Sequence, residues 1–149
     1  MPFDKSILNN LNDIQVSEVL LALRFNSILF ETLKEQNKNI QKLYWENISN
    51  HYYRVDDKDI SYINWIIEQL IKYKQYMKAV SFISNLFYMM KTHELNLDIN
   101  LLTKVLIEIE PNKERLDSHS IAKIIKFLQS SDLEFTKIQM LEWKYIKLN

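Results

Sequence analysis

The chain is 149 residues long, with 19 basic and 19 acidic side chains, 47% hydrophobic and 12% aromatic residues, and it lacks both glycine and cysteine. That length suits one domain with a sizeable core, zero net charge supplies no field for a general polyanion binder, and missing cysteine excludes disulfides, thiolate metal sites and cysteine nucleophiles. Missing glycine excludes a phosphate-cradling loop, a dinucleotide-binding turn and a glycine-flanked nucleophile elbow, because each needs a backbone approach or dihedral that a Cβ obstructs.

A period of about 3.6 residues dominates the chain. Asp4 to Leu11 reads as a short opening helix. Asn12 or Asp13 caps a longer one through Glu35, with Val16, Leu20, Leu23, Phe30 and Leu33 near one face. After the polar turn Gln36–Asn39, a helix from Asn39 to His51 is expected to bury Ile40, Leu43, Tyr44 and Ile48. The next helix, Lys58 to Tyr73, is expected to start on a carboxylate from Asp56 or Asp57 and to bury Ile60, Ile63, Ile67, Leu70 and Ile71. A break at Lys74-Gln75 precedes a helix running to Lys91, whose Val80, Ile83, Leu86, Phe87 and Met90 make it apolar on several sides and so central.

Asp98 caps a helix carrying Ile99, Leu102, Val105, Leu106 and Ile109, which must stop before Pro111. Asp117 or Ser118 caps the next, with Ile121, Ile124, Ile125 and Leu128 inward. Beyond the break at Ser130-Ser131-Asp132, a last helix from Glu134 to Ile146 buries Phe135, Ile138, Leu141 and Tyr145. Trp143 lies two positions from both Leu141 and Tyr145, about 200° around the axis, and is expected to point away from that stripe and be partly exposed.

No segment alternates with period two. The fold expected is all-α: about seven helices in antiparallel hairpins, forming an α-solenoid-like helical-repeat array. Within the single domain 1–149, residues 1–36 supply N-terminal helices and 37–149 the array. The hairpins beginning at Lys58 and Asp98 are spaced about 40 residues apart, within the roughly 33–47 typical of helical repeats. The N-terminus has no basic stretch leading into an apolar core, and no run of about 20 apolar residues occurs. A cytoplasmic chain with no membrane span is therefore expected.

Candidate chemistry is sparse. Asp57, Asp59, Ser61 and Glu68 fall at calcium-loop positions, but Tyr62 occupies the place of the required glycine, and helix capping explains the acids better. His51, His93 and His119 share no zinc-ligand spacing. Arg115 and His119 stand too close for a helical ribonuclease pattern, and Ser118 beside His119 makes no triad. No catalytic residue, metal site or cofactor is expected. Basic and aromatic residues interleave in Lys72-Tyr73-Lys74-Gln75-Tyr76-Met77-Lys78 and in His51-Tyr52-Tyr53-Arg54, a mixture that can bind single strands but reads more simply as solvated helix turns. Trp45, Trp65 and Trp143 are expected to pack, and any that is exposed becomes an interface anchor.

Tyr44-Trp45 with its polar, Tyr-containing connection, the Lys/Tyr-flanked break before Lys78-Ala79-Val80, the run Asp117-Ser118-His119-Ser120-Ile121 leading to Phe127-Leu128-Gln129, and the closing Leu141-Glu142-Trp143-Lys144-Tyr145-Ile146 together carry a resemblance. The chain from Leu43 to Asn149 resembles the helical C-terminal regions of large, multidomain, uncharacterised bacterial proteins, some of them defence-like or nucleotide-signalling systems. Two departures stand out: the break lacks the glycine or Arg-Pro common there, and the chain stops soon after Tyr145 where such regions usually continue. The resemblance implies a piece of a longer protein whose catalytic domain lies elsewhere.

The expected function is a non-catalytic interaction or scaffold module mediating protein–protein contacts within a larger bacterial, antiviral-defence-type protein. Its partners would be a protein or the remaining domains of its parent chain. The contact candidates are Tyr44, Trp45, Tyr52, Tyr53, Arg54, Lys72, Lys74, Lys78 and Trp143. The alternative is a helical nucleic-acid-binding domain.

Overall fold

Asparagine and aspartate side chains cap the starts of five helical elements among the described residues. The computed structural model describes residues 3–49, 55–89, 96–109, 118–131, 135–142 and 144–145. Asp4 accepts from the Ser6 N–H and opens a 3-10 turn, Lys5–Asn10. Asn12 opens α1 (Asp13–Ala22) with a reciprocal capping box to Gln15. Asn26 accepts from both Ile28 and Leu29 N–H at the start of α2 (Ser27–Lys34), and Asn37 accepts from Ile40 N–H at the start of α3 (Lys38–Asn47). A second 3-10 turn, Asp57–Tyr62, leads into α4 (Ile63–Lys72), followed by α5 (Tyr76–Met89). Asp98 accepts from Asn100 N–H and opens α6 (Ile99–Glu108), after which come α7 (Ser118–Gln129) and α8 (Phe135–Glu142). Each cap satisfies N–H groups that the first helical turn leaves without partners. Among the described residues there is no strand, and no helix is long and apolar enough to cross a membrane.

Three boundaries differ from the sequence expectation. The helix expected from residue 12 to 35 is two helices, because Asn26 takes an extended backbone and bonds its side chain to the chain ahead. The break also lets Phe25 meet Phe30 edge-on at 4.7 Å and reach Phe82 of α5 at 6.2 Å. Asp56 does precede the turn at 57–62, yet its carboxylate makes no capping bond, and the expected helix is 3-10 rather than α as far as Tyr62. α3 ends at Asn47, with Ile48 turning to ψ 134. The expectations for His51, Met90, Lys91, Pro111, Asp117, Asp132, Glu134 and Ile146 lie outside the described residues, as do those for the side chains of Asp57 and Phe135.

A chain without glycine must end its helices by other means. α4 ends in a Schellman arrangement, with Lys74 N–H donating to Ile71 C=O at 2.9 Å and Gln75 N–H to Leu70 C=O at 2.7 Å. The left-handed residue that this geometry requires is Lys74, at φ 60. Elsewhere side chains reach the free carbonyls. Lys78 Nζ donates to Glu46 C=O at 2.7 Å, near the end of α3. Lys144 Nζ donates to Leu106 and Ile107 C=O at 3.0 and 2.7 Å, and the Tyr145 hydroxyl also donates to Leu106 C=O, all at the end of α6. A cation there also opposes the negative end of the helix dipole.

α1 lies on α3, and α2 meets the turn at 57–62. α4 contacts α5 and α6, α5 contacts α6 and α7, α6 contacts α7, and α7 contacts α8. α5 is thus central, as its all-round apolar surface predicts. Buried residues from each of α1 to α8 join one hydrophobic cluster, from Val16 and Leu20 through Ile66, Ile83 and Leu102 to Leu128, Leu141 and Tyr145. Ile121, Ile124, Ile125 and Leu128 are buried as their spacing predicts, whereas Leu23, Leu43, Ile60, Phe87 and Ile99 are half-buried.

Candidate interaction surface

Tyr44 and Trp45 are not surface contacts. They are 1% and 0% exposed, and their rings meet edge-on at 5.0 Å in the core. This corrects the expectation that they mediate contacts: α3 packs on α1, and Trp45 also meets Trp65 of α4 edge-on at 5.7 Å. His51, Tyr52, Tyr53, Arg54, His93, Arg115 and Trp143 lie outside the described residues.

The lysines of the 72–78 segment do different jobs. Lys72 is exposed, with Nζ 5.5 Å from the Tyr73 ring centre. Lys74 is exposed and makes the left-handed turn. Lys78 is half-buried and turns its ammonium onto α3, where loss of solvent lowers its pKa below the usual 10.5. The tyrosines between them are half-buried, and the Tyr73 hydroxyl is shut from water with no hydrogen-bond partner among the described residues.

The acidic segment does not converge. Asp59 is 1% exposed while Glu68 faces solvent, and among the described residues no three His, Cys, Asp or Glu side chains gather as for a metal. His119 and Ser118 are both exposed at the start of α7; His119 Nε2 is 3.3 Å from the Tyr88 hydroxyl, and Lys123 Nζ lies 3.1 Å over the Tyr88 ring. Two recesses among the described residues bear on these candidates. One of about 20 Å³ involves Trp45, Lys78, Phe82 and Asn85 and has room for about one water. The other, about 120 Å³, opens beside Phe3, Arg24 and Ile28.

The most organised polar–aromatic arrangement is not among the expectations from sequence. Glu31 and Lys34 stand one turn apart on α2, and Tyr62 and Trp65 one turn apart across the entry to α4. Lys34 Nζ lies 5.0 Å from the ring centres of both Tyr62 and Trp65. Glu31 Oε1 sits 3.6 Å from that ammonium and accepts the Tyr62 O–H at 2.8 Å. The hydrogen bond to a carboxylate raises the Tyr62 pKa above 10.0, because ionising the phenol would remove the donor and oppose a neighbouring negative charge. Behind the corner, buried Phe30 backs Tyr62 at 5.0 Å and Trp65 at 5.7 Å. Two facing i,i+3 pairs are the signal that could have revealed it.

Comparison with protein-family models, with curated proteins and with solved structures returns no match.

Proposed function

We propose that this chain is a non-catalytic helical-repeat module that holds a protein partner, or other domains of a longer parent protein, against its helix faces. The observation that carries this reading is contact between helices two apart in sequence: α1 with α3, α4 with α6, and α5 with α7. Stacked hairpins pack in this way, each unit burying its neighbour's apolar face. Side-chain hydrogen bonds support the same register, joining residues 30 to 39 apart: Lys5–Glu35, Tyr62–Glu31, Lys78–Glu46, Asp98–Asn64 and Tyr145–Leu106. Large side chains stand in solvent on the later helices, with Tyr88 67%, Ile107 42% and Met140 51% exposed.

The resemblance read in residues 43–149 implies a piece of a longer bacterial, defence-type protein, so the remaining domains of that parent chain are among the proposed partners. The alternative of a nucleic-acid-binding domain loses support from the inward use of Lys78 and from zero net charge. Photo-crosslinkers placed at Tyr88, Ile107 and Met140 of the intact gene product test the proposal. Discrete cross-linked species at these positions, absent for a crosslinker at exposed Glu18, are expected. Salt-sensitive oligonucleotide binding with no such species, or a hydrolase activity abolished by one polar substitution, would overturn it.

A further inference from the structure

The corner formed by Tyr62, Trp65 and Glu31 holds the ammonium of the chain's own Lys34. We propose that it binds an alkylated ammonium ion, with Lys34 acting as an internal competitor. Three observations carry this inference, and none depends on the repeat reading.

First, the walls are set for a cation. The Tyr62 and Trp65 rings meet at 77° with centres 6.3 Å apart, so both faces of the angle present π density to one point. Lys34 Nζ marks that point, 5.0 Å from each centre. Glu31 adds a carboxylate 3.6 Å from the ammonium. Two aromatic faces and one carboxylate are the groups that recognise quaternary ammonium ligands.

Second, the walls do not need Lys34 to stand. Trp65 is backed by Phe30 and by Trp45, both 0% exposed, at 5.7 Å each. Tyr62 is held by its O–H to Glu31 at 2.8 Å and by Phe30 at 5.0 Å. Third, the present occupant can leave. The Lys34 side chain is 41% exposed and that of Glu31 52%, and a lysine stem is flexible. A methylated ammonium also sheds water more readily than the strongly hydrated primary amine of Lys34, which favours exchange.

Internal competition reduces the apparent affinity by the fraction of time the corner is vacant. If Lys34 fills it about nine-tenths of the time, its removal should tighten binding about tenfold. The test is a titration of the full chain with tetramethylammonium chloride, read at the Trp65 indole N–H by NMR, with sodium chloride as the ionic control. The Trp65 signal is identified by its loss in Trp65→Phe. Lys34→Ala should show a saturable shift with affinity about tenfold above wild type, and Lys34→Met provides the same test while keeping the side chain's apolar stem. Adding Tyr62→Leu or Glu31→Gln to Lys34→Ala should weaken the response at the Trp65 indole severalfold or abolish it.

A peptide bearing trimethyllysine, titrated in parallel, separates the sources. Binding tighter than tetramethylammonium indicates a partner's side chain, and equal binding a free organic cation; both support the receptor. No saturable shift in either Lys34 variant, equal affinity with and without Lys34, or a response at the Trp65 indole undiminished by Tyr62→Leu would overturn it.

Discussion

Replacing Lys74 with glycine should stabilise the protein. Lys74 sits at φ 60, in the left-handed region, at the position of a Schellman turn where glycine is usual. An L-residue with a Cβ incurs roughly 1–2 kcal/mol there relative to glycine. Glycine adds backbone freedom to the unfolded chain, which offsets roughly 0.5–1 kcal/mol of that relief. The net gain expected for Lys74→Gly is therefore about 0.5–1 kcal/mol. The exposed lysine side chain leaves no hole behind, so no cavity cost enters. For a chain near this size a gain of 1 kcal/mol raises Tm by roughly 2–4 °C. In urea it moves the midpoint up by about 0.3–1 M at ordinary slopes. Lys74→Ala is the control: alanine keeps the Cβ and its strain, so it should change stability by only a few tenths of a kcal/mol. Equal stability for Lys74→Gly and wild type, or an equal gain for Lys74→Ala, would refute the reasoning.

Three further outcomes follow from the same geometry. Asn26→Ala should cost about 1 kcal/mol by denaturant titration, since its side chain satisfies two N–H groups and separates α1 from α2. Tyr145→Phe should cost about 1 kcal/mol by removing the donor to Leu106 C=O, and Tyr145→Ala about 3–5 kcal/mol because the ring is buried as well. Lys78→Met should change the pH dependence of stability. Burial lowers the folded pKa of Lys78 below 10.5, so between that lowered value and 10.5 the unfolded chain binds more protons and wild-type stability gains with pH. The wild-type minus Lys78→Met stability difference should therefore rise as pH approaches 10.5, and a flat difference in chemical denaturation would refute it.

Local chemistry makes much of the architecture legible in the amino-acid sequence. Asn12 with Gln15, and Asp98 ahead of an apolar run, mark helix starts because a cap is complete within a few residues. The 3.6 spacing of Ile121, Ile124, Ile125 and Leu128 names a buried face, and that of Ile138, Leu141 and Tyr145 places the phenol inward. The break at Lys74-Gln75 is equally legible, though nothing local reveals that lysine itself takes the glycine conformation.

Tertiary structure decides the rest, because packing joins side chains that stand about thirty residues apart. The spacing of Tyr44 marks it as inward, but only packing against α1 and against Trp65 of α4 removes both Tyr44 and Trp45 from the surface available to a partner. Lys78 and Lys144 look like ordinary exposed cations until each is set beside the carbonyl end of a distant helix, where absent glycine leaves acceptors open. Glu31 and Lys34 become part of a cation corner only once α2 lies against the turn that carries Tyr62. Caps and faces are short-range properties of a chain. Sites made between helices depend on their approach, which the summed burial of the whole core determines.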